Sequence, residues 1–449
     1  MSLGPTRKGP SLGGSAQFFA FLLTAALAHG EASDDLLNAG KKAFADGFYD
    51  VAAGTFQRVV SDYPQATAAV EAEYMLGVSR FYAGKWEESL AALDGFRGRH
   101  PGSPLSPRAL YWIGAAQVRL GRYEKALRAL SPPAQDASLL GPYAAHAALL
   151  RGIALEGLGR DAEAWIAYRG LLGPGSDASL APEASFRLAG VEYRAGRFAS
   201  ARQLYGKILI DYPQSGFVKD SLFFLAECDL AVGETQSAEK RYATLLSVYP
   251  GSPWREAAMY RLADAAFRRK DLAAALTRLE DLQARFPRGS YAASAQRLKA
   301  DILFDQKKYE EALTTYRAAA AVLPPGKERQ SAFYAAGLSE LMLGRKDEAA
   351  QDFSRAGSGG AREIGERASY QRAVLLAGEG QDDDAVAALS SYVDEYPNGA
   401  HAEDALKLLA SLLDGRGNFE KSAPRWDALV KRFPRSQSLA QYVFHRGTA

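Results

Sequence analysis

An internal repeat of about 37 residues runs through most of this 449-residue chain. An alanine or a serine recurs eleven times, spaced by 37 residues in eight of the ten steps and by 38 and 36 in the other two. The positions are Ala52, Ser89, Ala126, Ala164, Ala201, Ala238, Ala275, Ala312, Ala349, Ala385 and Ser422. A repeat of this length predicts an array of stacked units rather than one large core.

Each unit has the pattern of two amphipathic helices joined by a turn. In the copy between Pro250 and Pro287, apolar residues recur at helical spacing on both sides of a turn at Lys270 and Asp271. Proline then closes the unit, since it cannot continue a helix. A lone pair of such short helices cannot bury its apolar faces, so each pair is expected to stack on its neighbours.

Three further columns accompany the recurrent alanine or serine. Four residues later the side chain is always large: Phe56, Leu93, Leu130, Tyr168, Tyr205, Tyr242, Leu279, Tyr316, Phe353, Leu389 and Trp426. Twelve residues earlier it is always small: Gly40, Gly77, Gly114, Gly152, Ala189, Ala226, Ala263, Ala300, Gly337, Ala373 and Ala410. A glycine marks the middle turn in nine copies: Gly47, Gly84, Gly121, Gly159, Gly196, Gly233, Gly344, Gly380 and Gly417. Small residues allow close helix approach and large ones fill the groove, so the columns predict helical hairpins.

This order of small and large residues and proline resembles the tetratricopeptide repeat, over roughly residues 33–446. The resemblance implies an all-α fold, a right-handed α-solenoid of about eleven helix–turn–helix units. The repeat here is about three residues longer, in links such as Tyr212-Pro213 and Tyr249-Pro250. That link is similar to those of bacterial envelope proteins, namely the BamD-like lipoprotein and the TolA-binding division coordinator.

The charge and cysteine content exclude several classes of protein. Lys and Arg total 54 against 52 Asp and Glu. This balance gives no strong net positive potential of the kind that attracts nucleic acid or an anionic membrane. The single cysteine, Cys228, excludes a disulfide framework within the chain. Because it falls inside a first helix, we expect it to act as a buried small hydrophobic residue.

The N-terminal segment has the pattern of a secretory signal. Arg7 and Lys8 precede an apolar run of thirteen residues, 16–28, which is too short to span a bilayer. We predict a signal peptide over 1–28, cleaved before His29, with an uncleaved anchor as the alternative. No cysteine follows the run, so the lipid attachment of the BamD-like relatives is not expected. The predicted location is the periplasm, with the cell surface as the alternative.

Linkers predict three blocks of repeats after the signal. Repeats 1–3 occupy 33–130, and the prolines after Ser131 are expected to end the second helix there and to leave a joint over 131–142. Repeats 4–9 occupy 143–356, and a glycine-rich link follows them. Repeats 10 and 11 occupy 362–446 together with a capping helix from Ser438 to Arg446.

The sequence offers no motif for catalysis, for a cofactor or for a metal ion. It has no phosphate-binding loop, dinucleotide glycine fingerprint, His-x-x-x-His pair or Cys-x-x-Cys, and its five histidines are isolated. We therefore expect a protein that is not an enzyme and that carries no cofactor or metal.

Two columns of the first helices are candidate partner-binding residues. One is aromatic and lies three residues before the small residue: Tyr74, Tyr111, Phe186, Phe223, Tyr260, Tyr334 and Tyr370. In the tetratricopeptide family this face lines the groove that holds peptides; the alternative is that the rings pack between hairpins. The other is acidic and could receive a basic segment: Glu227, Asp264, Asp301 and, one turn later, Asp305. Asp264 has Arg268 at i+4, whereas Glu227 and Asp301 lack such a partner one turn later and are expected to stay available.

These features predict an exported, non-catalytic scaffold that binds proteins or peptides along its inner face. Two alternatives remain at this point. One is a carbohydrate-handling module in polysaccharide export or peptidoglycan processes, in which exposed Trp86, Trp112 and Trp254 would stack on sugars. The other is a cell-surface adhesin.

Overall fold

The computed structural model describes residues 32–135, 137–173 and 176–448, and these contain 23 α-helices, one 3-10 segment and no strand. The first 22 helices form eleven hairpins, in which odd-numbered helices are first and even-numbered helices are second. The predicted signal peptide over 1–28 lies outside the described residues. No helix in the described part of the chain is both long and apolar enough to cross a bilayer.

The first helices run over 14 to 17 residues. They are α1 (Ala32–Ala45), α3 (Thr67–Tyr82), α5 (Ser106–Arg119), α7 (Ala144–Gly157), α9 (Ala181–Arg194), α11 (Val218–Ala231), α13 (Arg255–Arg268), α15 (Ala292–Asp305), α17 (Lys327–Met342), α19 (Arg362–Gly378) and α21 (Ala402–Gly415).

The second helices follow after a short turn in every hairpin. They are α2 (Tyr49–Asp62), α4 (Trp86–Arg99), α6 (Tyr123–Gln135), α8 (Asp161–Gly170), α10 (Phe198–Asp211), α12 (Thr235–Val248), α14 (Leu272–Arg285), α16 (Tyr309–Val322), α18 (Lys346–Gly357), α20 (Asp382–Glu395) and α22 (Phe419–Arg432). The final helix, α23 (Leu439–Thr448), lies where the sequence predicts a capping helix.

The chain divides into two compact units, one ending at Arg241 and one beginning at Tyr242. Hairpins 1–5 and α11 belong to the first unit, and hairpins 7–11 with α23 belong to the second. Hairpin 6 is divided between them, because the boundary falls within α12. The three blocks that the linkers predict are a different division, and they stay a prediction.

The turn inside each hairpin is the same left-handed cap. The nine predicted turn glycines have φ between 66° and 87°. In the two hairpins without glycine, Lys270 and Lys307 adopt φ of 63° and 61°. In every hairpin, the backbone amide of the residue after this left-handed position donates to the carbonyl five residues earlier, as Arg345 does to Glu340 at 2.9 Å. This motif satisfies carbonyls at the end of the first helix and redirects the chain into the second.

The predicted small and large columns form the core of every hairpin. All eleven small residues of the second helices are fully buried, and all eleven large residues are at most 2 % exposed. Where the small residue of the first helix is glycine, it lies directly against the large one: a Cβ at Gly77 would be 2.5 Å from Cγ of Leu93. The prediction of close-packed helical hairpins is confirmed, and the fold is an all-α solenoid.

One helix continues further than expected. The sequence predicts that α6 ends near Ser131, but α6 extends to Gln135, and a 3-10 segment follows over Ala137–Tyr143 with a non-helical Gly141. Each proline removes a single backbone hydrogen bond and crowds the preceding turn, which weakens a last helical turn without forbidding it. The expected early end of α6 is therefore wrong, while irregular backbone over 137–143 does separate α6 from α7.

Candidate docking face of the first helices

The aromatic column of the first unit is largely used for packing. Tyr74 is buried and accepts a hydrogen bond from Trp112 Nε1 at 2.9 Å. Burial raises the pKa of Tyr74, and it does the same to Tyr111. Tyr111 stacks on Tyr143 with ring centroids 4.7 Å apart, and Phe186 stacks on Phe217 at 5.1 Å.

In the second unit the column has the same packing role. Tyr260 packs on Tyr291 with centroids 5.1 Å apart, and Tyr370 stacks on His401 at 4.3 Å. In these four pairs the partner is the residue immediately before the next first helix, so the ring of one hairpin is covered by the start of the following one. Among the residues that this column groups together, Tyr74, Tyr111, Phe223 and Tyr260 are buried and Phe186, Tyr334 and Tyr370 are half-buried.

Tyr334 departs from this arrangement. Its ring contact in the described structure is Phe353 of its own hairpin, at 5.5 Å. The link that follows hairpin 9 has the sequence Gly-Ser-Gly-Gly-Ala. In hairpins 7 and 10 the aromatic partner comes 31 residues after the column residue, and at that distance from Tyr334 the chain has Gly365. The face of Tyr334 is consequently not covered by a ring from hairpin 10.

The acidic column of the second unit is neutralised by neighbouring bases. Asp264 pairs with Arg268 at 2.8 Å, as the sequence predicts. Asp301 accepts from Arg297 Nη1 at 2.8 Å and from the Tyr316 hydroxyl at 2.7 Å. Asp305 pairs with Lys270 of the preceding hairpin at 2.7 Å.

Glu227 and Asp301 have no base at i+4, as the sequence shows, but the expectation that this leaves them available is wrong. Arg297 precedes Asp301 by one helical turn, and Tyr316 reaches it from the second helix. Burial raises the pKa of Asp301, and the Arg297 charge opposes that rise. A carboxylate so placed requires compensation, which explains its partners. Glu227, in the first unit, is half-buried and also has an interaction of its own.

The first-helix face of the second unit changes character between hairpin 8 and hairpin 9. One residue after the small position, hairpins 7 and 8 carry Asp264 and Asp301, but hairpins 9 and 10 carry Leu338 and Val374. Four residues further on, Met342 is 56 % exposed, and Val374 itself is 37 % exposed. We name the apolar patch as the set Tyr334, Leu338, Met342, Tyr370 and Val374 on the adjacent helices α17 and α19.

The predicted sugar-stacking tryptophans are not all exposed. Trp112 is buried and its indole N–H is committed to Tyr74, because it packs among the rings between hairpins 2 and 3. Trp86 and Trp254 are half-buried. The expectation of an exposed Trp112 is therefore wrong.

A column of buried carboxylates escaped the sequence analysis. Three residues after the small position of the first helix, most hairpins have alanine or leucine, but three have Glu192, Asp229 and Glu340. All three are buried. Asp229 is held by Arg202 at 2.6 Å and Arg241 at 2.9 Å. The detectable signal was an acid in a column of the repeat that is alanine or leucine in six of the eleven hairpins.

Cys228 is buried, as predicted, and burial raises the pKa of its thiol to about 12. A thiol with so high a pKa stays protonated and unreactive at neutral pH. In the described part of the chain, no three His, Cys, Asp or Glu side chains are grouped so that they could hold a metal ion.

Comparisons with known families match two parts of the chain. Residues 254–428 match the YfiO family, described as outer membrane lipoprotein. Residues 74–131 and 176–216 match a tetratricopeptide-repeat family. A comparison with curated proteins gives no match.

Several solved structures are similar to this chain. The C-terminal part of a TPR repeat-containing protein from Cytophaga hutchinsonii is 14% identical, with a TM-score of 0.45, over 57% of this chain and 98% of that one. A tetratricopeptide repeat protein from Parabacteroides merdae is 17% identical, with a TM-score of 0.35, over 67% and 98%. Yeast Tom70 is 14% identical, with a TM-score of 0.36, over 92% and 99%.

The family matches agree with the repeat geometry of the helices. Tetratricopeptide arrays are scaffolds for protein–protein interaction, and such scaffolds are typically non-catalytic. The chain is a tetratricopeptide-repeat protein, and its residues 254–428 resemble the YfiO family of outer membrane lipoproteins.

Proposed function

We propose that this protein is an exported, non-catalytic scaffold of the cell envelope that binds protein partners on its first-helix face. The match of residues 254–428 to an outer membrane lipoprotein family supports the envelope, as does the signal-like segment 1–28. The repeat architecture supports a binding role, since a rigid array holds several contacts at fixed spacing and so lowers the entropy lost on binding.

The apolar patch is the observation that carries this proposal. Tyr334, Leu338 and Met342 are spaced by four residues on α17, so they share one face of that helix. Tyr370 and Val374 stand at the equivalent repeat positions on α19. Met342 and Val374 are exposed and the other three side chains are half-buried. Exposed apolar side chains on adjacent helices mark a surface that gains free energy when a partner covers it.

The acidic column has a smaller role in this proposal. A basic partner segment would have to displace Arg268, Arg297 and Lys270 from Asp264, Asp301 and Asp305. Each exchange replaces one ion pair by another, so its net gain is small. We propose that the apolar patch supplies most of the affinity for the partner, and that the ion pairs beside it determine the position at which the partner segment aligns along the helices.

Site-specific photocrosslinking in the native envelope tests the proposal. A photoreactive residue at Met342 or Val374 is expected to capture a discrete protein partner. The control is Val322, which is 67 % exposed in the same unit but lies on the second helix α16. Capture that is equal at Val322, or absent from Met342 and Val374, would contradict docking on the patch.

Two further measurements complete this test. Met342→Asp and Val374→Asp place a charge in the patch and are expected to abolish capture at the neighbouring position while the helical circular dichroism stays unchanged. Fractionation of the native cells is expected to recover the protein with the envelope or the periplasm; recovery with the cytoplasm would contradict the proposed location.

A further inference from the structure

Hairpin 9 contains two buried carboxylates that face one arginine. Glu340 of α17 and Asp352 of α18 have side chains at most 1 % exposed. Arg317, which comes from α16 of hairpin 8, donates to Glu340 through Nη2 and lies 2.9 Å from Asp352 Oδ2. These contacts connect three consecutive helices and join hairpin 9 to hairpin 8.

The charges around Glu340 do not compensate it fully. Arg355 Nη1 donates to Asp352 at 2.7 Å, so Asp352 has two arginine partners while Glu340 has one. Oε2 of Glu340 is buried and has no hydrogen-bond partner. Burial, followed by the charge of Asp352, raises the pKa of Glu340 to about 7.

Several other charged groups around hairpin 9 are paired with residues other than Glu340. At the turn before α18, Arg345 pairs with Glu310, and Lys346 pairs with Glu379, which follows α19. On α15, Asp301 and Asp305 pair with Arg297 and Lys270. On α18 itself, Glu348 is exposed and adds a further negative charge near Glu340.

We propose that Glu340 carries a proton in the closed form of hairpin 9, and that loss of this proton loosens the attachment of α17 and α18 to α16. Two ionised carboxylates in a buried site with a shared arginine repel each other, and the uncompensated one is removed from bulk solvent. With the proton present, Glu340 is neutral and Arg317 serves Asp352 without competition. The proton that leaves goes to solvent, so no other reactant is needed.

The direction of the effect follows from linkage. The folded form holds this proton up to about pH 7, whereas an unfolded glutamate releases it near its ordinary pKa of 4.5. The stabilisation of the closed form by the Glu340 proton is therefore fully present in acid. Between pH 5 and 7 the equilibrium constant for closing falls about tenfold per pH unit, and above pH 7 it no longer changes with pH.

Hydrogen exchange measured by mass spectrometry tests this on the full chain. The opening constant of peptides from α17 and α18 is compared between the wild type and Glu340→Gln at the same pH, so that the intrinsic pH dependence of exchange cancels. The ratio of wild-type to variant opening is expected to rise about tenfold per unit from pH 5 to 7. A ratio that is constant over this range would overturn the proposal.

Two controls separate this from a general effect of charge. Asp347→Asn, on the same hairpin but exposed and not among the charges that act on Glu340, is expected to keep the wild-type pH dependence. A direct readout covers the case in which Glu340→Gln fails to fold: the carboxyl ¹³C signal of Glu340 in the wild type, identified by its absence from the variant or by sequential assignment, is expected to titrate near pH 7. A midpoint below pH 5 would refute the proposal.

Discussion

The ring of Tyr370 lies flat against the imidazole of His401, with the centroids 4.3 Å apart and the planes within 5° of parallel. His401 is the residue before α21, so the stack joins hairpin 10 to hairpin 11. Tyr260 and Tyr291 have the corresponding relationship between hairpins 7 and 8, whereas Tyr334 has no such partner from hairpin 10. The same sequence column thus stacks on the following hairpin in four cases, whereas the ring of Tyr334 contacts a ring of its own hairpin.

This difference predicts unequal costs for two equivalent substitutions. Tyr260→Ala removes a buried ring and is expected to lower the free energy of unfolding by about 3 kcal/mol. Tyr334→Ala removes a half-buried ring without a stacking partner and is expected to cost about 1 kcal/mol. Urea denaturation of both variants, followed by circular dichroism, measures the two values. Equal costs would show that Tyr334 is as much a packing residue as Tyr260.

The lysine at the turn of hairpin 8 is predicted to be a source of strain. Lys307 adopts φ of 61°, a conformation that costs a residue with a Cβ roughly 1–2 kcal/mol. Lys307→Gly is expected to raise the free energy of unfolding by about 1 kcal/mol. The neighbour Lys308 has φ of −85°, so Lys308→Gly is expected to bring no gain. A loss of stability in Lys307→Gly would contradict this account of the turn.

Close approach within a hairpin predicts that one glycine cannot gain a methyl group. A Cβ at Gly77 would lie 2.5 Å from Cγ of Leu93, and overpacking of this kind costs about 1–3 kcal/mol. Gly77→Ala is therefore expected to lower the thermal midpoint. Gly54, inside α2, has open space around its Cα, so Gly54→Ala is expected to raise the midpoint through helix propensity. An increase in both variants would argue that Leu93 moves aside freely.

The buried Glu192 predicts a loss of stability in acid. Its hydrogen bond from Arg197, together with one from the Trp165 indole, lowers the pKa of the carboxyl. A lowered folded pKa contributes stability that is present above the unfolded value near 4.5 and is lost as the pH falls through the folded value. Glu192→Gln is expected to cost on the order of 2 kcal/mol at pH 7 and much less at pH 3.

Urea titrations of wild type and Glu192→Gln at the two pH values check this prediction. Glu163→Gln serves as the control, because the Arg160 pair of Glu163 is exposed and its loss is expected to change stability little at either pH. A cost for Glu192→Gln that does not depend on pH would assign the effect to packing rather than to charge.

The period of 37 residues was sufficient to predict the hairpins, the positions of their turns and the core columns. Each of these features depends on contacts within one hairpin or between neighbours, and every copy repeats them, so the signal accumulates along the chain. Gly77 and Leu93 lie on the two helices of one hairpin, and the pairing of a small with a large side chain in every copy indicates that they touch. The bent joint over 131–142, the cleaved signal and the periplasmic location stay predictions.

The tertiary structure alone decided which side chains of a column are covered or neutralised. Tyr74 is buried and hydrogen-bonded to Trp112 of the next hairpin, and Asp301 accepts a hydrogen bond from Tyr316 on the second helix of its own hairpin. Glu340 became a buried acid because Arg317 and Asp352 converge on it from two other helices. The physical reason is that burial and pairing depend on distances between side chains from different helices, which the spacing of residues along one helix does not contain.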